Sequence, residues 1–176
     1  AIHAIRTLAL VGPAAAGKTS LAEALLVKAG IIGAPGSLER GSTVSDFDPL
    51  ERKLQHSLNS AVMHLMHTDT RIHLIDTPGA ADFIGQSLPA LEAVETAAIV
   101  INAATGIEPM AVRMMEYAAS RQLDRIIIVN KIDAQGVNLA AVLAEIQATF
   151  GKECLPLNLP DAGGTKVVDC FFNTEG

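Results

Sequence analysis

The sequence predicts a three-layer α/β domain: a mostly parallel sheet with helices on both faces and one antiparallel strand at an edge. Three observations lead there. Apolar runs alternate along the chain with stretches of helical spacing, a pattern that calls for crossover connections and a sheet covered on both sides. Two of those runs, residues 97–101 and 126–129, are apolar throughout, as central strands need to be. The segment His67-Thr68-Asp69-Thr70 joins two strand-like runs as a hairpin, so one edge strand is antiparallel.

The elements follow in order. A strand over 5–11 leads through a glycine-containing loop into a helix over 18–29, whose Leu21, Ala24, Leu25 and Ala29 recur at helical spacing. Residues 30–54 are rich in Gly, Ser and Pro and carry no period; they are expected to be mobile without bound nucleotide. Strands at about 57–67 and at 71–75 form the hairpin, and a helix follows at about 85–93. A strand at 97–101, a helix at 109–121, a strand at 125–129 and a helix at 138–150 complete the pattern. Met110, Met114 and Met115 fall on one helical face and read as core filler. No repeat, coiled coil or low-complexity tract is present.

The loop after the first strand is Gly12-Pro13-Ala14-Ala15-Ala16-Gly17-Lys18-Thr19, which fits G-x-x-x-x-G-K-[ST] with the strand before it and the helix behind it that the motif requires. Glycines let the backbone curl so that its N–H groups point at an anion, and the helix N-terminus adds partial positive charge. Lys18 supplies a point charge for the β- and γ-phosphates, the Thr19 hydroxyl ligates Mg²⁺, and Ser20 completes the candidate nucleotide-binding stretch. This is the P-loop NTPase fold.

Two further segments identify the nucleotide. Residues 71–79 are a strand ending in Asp76-Thr77-Pro78-Gly79; an acid at that tip can hold Mg²⁺, and Gly79 has no Cβ to keep its N–H from a γ-phosphate. Residues 126–133 are a strand ending in Asn130-Lys131-Ile132-Asp133. A carboxylate at Asp133 accepts two N–H bonds from the Watson–Crick edge of guanine, which adenine cannot offer. Asn130 and Lys131 hold the loop and cover the purine. The order of the three motifs points to GTP or GDP and disfavours an ATPase or kinase.

With these motifs the chain resembles the translational GTPases, most closely elongation factor G and its paralogues. Gly41-Ser42-Thr43-Val44-Ser45-Asp46-Phe47-Asp48-Pro49 looks like the family's approach to switch I, and Ala103-Ala104-Thr105-Gly106-Ile107-Glu108-Pro109 like its segment after the fourth strand. Leu155-Pro156-Leu157-Asn158-Leu159-Pro160 and Val167-Val168-Asp169 are similar to the start of its insert, which places that insert at 151–176. The resemblance runs from about Ile5 to the C-terminus. It implies a GTP-binding domain over 1–176, with Lys18 and Gly79 as catalytic groups and Thr19, Ser57 and Asp76 at Mg²⁺. It further implies the ribosome as partner of a longer protein. The family's guanine site is completed by a Ser-Ala loop after one more strand; none occurs after Asp133, so the domain reads as C-terminally truncated.

Departures from the family are informative. Where its switch I has Arg-Gly-Ile-Thr, this chain has Leu54-Gln55-His56-Ser57, which keeps a hydroxyl and loses the glycine. The position often occupied by Asp in the phosphate loop is Ala15. After Asp-Thr-Pro-Gly the family usually has a His that orients the attacking water; this chain has Ala80, whose methyl cannot. Two readings result: a GTPase domain, or a GTP-sensing binding module with little hydrolysis.

The remaining features bound the partners. At 176 residues and 49% hydrophobic, the chain suits one buried core. A net charge of −6 and a pI near 5.3 argue against a broad nucleic-acid surface. No apolar run is long enough for a membrane and no cleavable signal is evident, so a cytoplasmic location with reduced Cys154 and Cys170 is expected. His64 and His67 point to opposite faces of a strand and read as ordinary hairpin residues; Asp46 and Asp48 read as solvated loop, and Arg40 as a surface side chain.

Overall fold

In a computed structural model, which describes residues 4–45, 51, 53, 57–161 and 166–171, a five-stranded sheet runs in the order β2-β3-β1-β4-β5. Its strands are β1 (Ile5–Val11), β2 (Ala61–His67), β3 (Thr70–Asp76), β4 (Thr96–Asn102) and β5 (Asp124–Asn130). Pairings β1–β3, β1–β4 and β4–β5 are parallel, and the edge pair β2–β3 is antiparallel, as the hairpin at residues 67–70 requires. The helices are α1 (Lys18–Lys28), α2 (Ile84–Glu92), α3 (Pro109–Ser120) and α4 (Leu139–Phe150).

Strand alternation divides the core into two layers. Ala9, Val11, Ile75, Ala97, Ile99 and Ile101 face one side, where Leu91 of α2, Met110 and Met114 of α3, and Val142 and Ile146 of α4 cover them. Leu10, Leu74, Ala98 and Val100 face the other, packed with Met63 and Leu65 of β2 and with Ala22 and Leu26 of α1. Both faces of the end of β1 and of the middle of β4 are therefore dry, and Ala97, Ala98, Ile99, Val100 and Ile101 of β4 are fully buried.

Helix ends follow local chemistry. Pro109 opens α3, where its missing N–H costs nothing. The Asn138 side chain accepts from the Ala141 N–H at 3.1 Å and caps α4. Pro89 sits inside α2, so the helix there lacks one backbone donor.

Four details differ from the sequence expectations. β5 is not central: it closes one end of the sheet, and Ile126 is 39% exposed. After β5 the chain crosses back as α4, and its last strands form their own sheet instead of extending the large one. That pair, β6 (Asn158–Asp161) with β7 (Lys166–Asp169), is antiparallel, exposed along its length and unforeseen as strands. β2 starts at Ala61 and not near 57, because the N–H groups of Leu58 and Asn59 both donate at 2.9 Å to the buried Glu51 carboxylate and not to a ladder partner. Residues 36–45 lack helix and strand as expected, but they are tied to α1 through Glu23.

Candidate nucleotide-binding site

The C-terminal ends of β1, β3, β4 and β5 lie side by side, and the motif loops leave from three of them. After Val11 the chain turns through Gly12 and Gly17, with φ of 135° and 92°, and Ala15 adopts φ 58° between them. Ala15 is the one residue of this loop with a Cβ in the left-handed region. The Lys18 ammonium folds back over the loop and donates to the carbonyls of Gly12 at 2.9 Å and Pro13 at 2.7 Å. Burial pulls Lys18 down to about 8, against the opposing pull of the Asp76 and Glu108 carboxylates. A bound anion would act with those carboxylates and keep the amine charged.

Thr19 and Asp76 meet beneath the loop: the hydroxyl donates to Oδ2 at 2.6 Å, with both residues buried. A hydroxyl and a carboxylate are hard oxygen donors, and a pair of them is chemistry that would suit Mg²⁺. Gly79 lies directly over the phosphate loop. A Cβ there would overlap the Lys18 Nζ and come within 2.5 Å of the Ala14 nitrogen. Only a residue without a side chain brings the β3 turn this close.

The third motif reaches the same loop. Asn130 donates from Nδ2 to the Ala16 carbonyl at 2.9 Å. A Cβ on Gly17 would overlap that same amide and would lie 4.0 Å from the Lys131 Cε, so the Lys131 stem runs alongside the loop. Lys131 itself takes φ 57°. Asp133 is exposed two residues further on, and Ser20 is exposed in the first turn of α1.

Sequence reasoning missed the pegs that hold these loops. Thr77 donates to the Leu10 carbonyl at 2.8 Å and locks the tip of β3 to β1. Ser87 of α2 donates to the Pro78 carbonyl at 2.9 Å. Ala80 is half-buried and extended, and its carbonyl accepts from Phe83 at 3.0 Å to start a single 3-10 turn, Ala81–Phe83. Ser57 is half-buried beside the Leu58 and Asn59 amides that Glu51 holds. Asp46, Asp48, Leu54, Gln55 and His56 lie outside the described residues. A separate groove of about 310 Å³ lies between the loop after β4 and the start of α4, lined by Thr105, Gly106, Gln135, Asn138 and Glu145 among others; it contains none of the candidate phosphate or base residues.

The family model for the elongation factor Tu GTP-binding domain matches residues 3–171. The chain belongs to that family. It is a translational GTPase G domain, GTP binding is implied by membership, and its similarity is to elongation factor G-like proteins. An "elongation factor G-like protein" of Mycobacterium tuberculosis, found in strains CDC 1551 and H37Rv, is 38% identical over 160 residues. That match covers 91% of this chain and 22% of the relative, so the chain spans about a fifth of that protein's length. A crystal structure from Thermus thermophilus superposes with a TM-score of 0.90 at 36% identity, over 95% of this chain and 26% of that one. A bacterial selenocysteine-specific elongation factor shares the fold, with a TM-score of 0.65 at 23% identity over 84% of this chain and 24% of its own.

Proposed function

We propose that the chain binds GTP and GDP with Mg²⁺ and, as part of a longer cytoplasmic protein resembling elongation factor G, acts with the ribosome. The observation that carries this reading is the convergence of three motif loops on one point: Gly79 against Lys18, Thr19 on Asp76, and Asn130 on Ala16. Backbone N–H groups of residues 12–17 would cradle the phosphates, with Lys18 exchanging its loop carbonyls for β- and γ-phosphate oxygens. Thr19 and Asp76, joined by Ser57, would hold Mg²⁺. The ion's contribution is to neutralise phosphate charge. The Gly79 N–H would donate to the γ-phosphate, and Asp133 would read guanine beyond Asn130 and Lys131. GTP turnover by the longer protein tests this: it is expected to rise with ribosomes and to vanish in Lys18→Ala. Equal turnover of ATP would refute it.

One observation favours a second reading, in which the domain senses GTP and hydrolyses little. Ala80 stands where the family's water-orienting His would be. A positioned orienting or acid–base group contributes about 10²–10⁴-fold to rate. Hydrolysis by this chain is therefore expected near background, and Ala80→His in the longer protein is expected to raise ribosome-dependent turnover. Brisk turnover of the unmodified protein, with no gain from Ala80→His, would show that another residue positions the water, and His56 would be the first to replace.

A further inference from the structure

Ser87 is a hydroxyl set into the apolar stripe of α2. With Ala90 and Leu91 it forms the buried side of that helix, and 1% of its surface is exposed. A serine inside a helix can return its hydrogen bond to the carbonyl one turn back. Ser87 instead reaches out of the helix and donates to the buried Pro78 carbonyl at 2.9 Å. Both sides of this contact are anchored. Ser60 donates to the Gln86 carbonyl at 2.9 Å and fastens the first turn of α2 to the residue before β2. Thr77 fastens the other side through the Leu10 carbonyl at 2.8 Å.

The carbonyl that Ser87 holds belongs to the same peptide unit as the Gly79 N–H. That peptide is trans, so its C=O and N–H point in opposite directions. Holding the carbonyl toward α2 therefore turns the Gly79 N–H away from α2. Gly79 itself lies over the phosphate loop, against the Lys18 ammonium and the Ala14 nitrogen. Its N–H donates to no described residue. An open amide beside a buried ammonium is placed to serve an anion.

We propose that Ser87 is a positioning residue of the nucleotide site: through the Pro78 carbonyl it sets the direction of the Gly79 N–H, and so the affinity for a nucleotide's terminal phosphate. The proposal rests on the GTP-binding reading above, in which Gly79 meets the γ-phosphate. Ser87 touches no group assigned to the nucleotide. Without its hydroxyl, the Pro78 carbonyl has the Lys18 ammonium beside Gly79 as a rival donor. A peptide rotated that way would present an oxygen to the phosphate in place of an N–H. GDP ends at the β-phosphate, so the loss falls on GTP.

Ser87→Ala removes the hydroxyl and keeps a good helix former. In this chain with Mg²⁺, affinity for the β,γ-imido analogue of GTP is expected to fall about fivefold, the effect of one neutral hydrogen bond. GDP affinity should stay within about twofold on the same scale. The Gly79 amide resonance separates positioning from mere support. In the unaltered chain its proton signal is expected to move downfield with the analogue and not with GDP, and in Ser87→Ala that movement is expected to shrink. Ser87→Thr restores a hydroxyl and is expected to restore both the affinity ratio and the movement. If Ser87→Ala fails to fold, Ser87→Cys takes its place; its S–H is a weak donor, and it should show part of the same losses. An unchanged analogue affinity, equal losses for analogue and GDP, or a Gly79 signal that responds alike in variant and unaltered chain would overturn the proposal. Failure of the unaltered chain to prefer GDP to ADP, or a Gly79 signal there that ignores the analogue, would instead overturn the underlying reading.

Discussion

Asn130 and Ala16 stand 114 positions apart in sequence and are joined by a 2.9 Å hydrogen bond from side-chain amide to backbone carbonyl. That bond ties the end of β5 to the phosphate loop, so the candidate base and phosphate segments form one connected unit. Asn130→Ala removes it. The expected cost is about 0.5–1.5 kcal/mol of folding stability, typical of one protein hydrogen bond. Guanine-nucleotide affinity should fall alongside. Thermal melts with and without GDP check both effects.

Asp76→Asn keeps the shape of the Thr19 partner and removes the charge. Nucleotide affinity in EDTA is expected to stay near that of the unaltered chain, whereas the gain from adding Mg²⁺ is expected to disappear. Titration of GDP at several Mg²⁺ concentrations measures this. A Mg²⁺ response that survives in Asp76→Asn would remove the residue from the metal site.

Gly79→Ala puts a methyl group where the Lys18 ammonium and the Ala14 nitrogen already sit. The β3 turn must back away from the phosphate loop, or Lys18 must leave its place. Overpacking of this kind costs about 1–3 kcal/mol. Affinity for the GTP analogue is expected to fall by about tenfold or more, following the same energy. Binding titrations read the loss directly.

Asn138→Ala tests the architecture away from the site. Loss of the cap on α4 should cost about 1 kcal/mol. For a domain of this size that corresponds to a fall in melting temperature of about 2–4 °C. GDP affinity relative to the unaltered chain should not change, since Asn138 faces the separate groove.

The candidate site was legible in the sequence because each of its parts is local. Gly12 to Thr19 carries its own strand and helix as flanks, and Asp76 to Gly79 and Asn130 to Asp133 each end an apolar run. The alternation of apolar strands and helical spacing likewise disclosed the layers, and the hairpin at residues 67–70 disclosed the antiparallel edge. What stayed hidden depends on contacts between distant segments. Glu23 reads as a solvent-facing helix residue until the loop from Gly36 to Val44 is seen wrapped over it. Glu51 gives no sign that it will take the Leu58 and Asn59 amides from the start of β2. The apolar run 126–129 cannot disclose that β5 ends the sheet, because packing of Ile127 and Val129 against the core on one face and pairing with β4 on one side already demand such residues. β6 and β7 are four residues each and exposed, and β6 contains Pro160, so they carry no alternation to read.

The central claim is that this site selects guanine, and calorimetric titration of the chain with GDP and with ADP, both with Mg²⁺, tests it most directly. GDP is expected to bind measurably and more tightly than ADP, and Asp133→Asn is expected to weaken GDP selectively, shifting preference toward the xanthine nucleotide. Lys18→Ala, by contrast, should weaken every nucleotide alike. Equal affinity for GDP and ADP, or a GDP affinity indifferent to Asp133→Asn, would contradict the account.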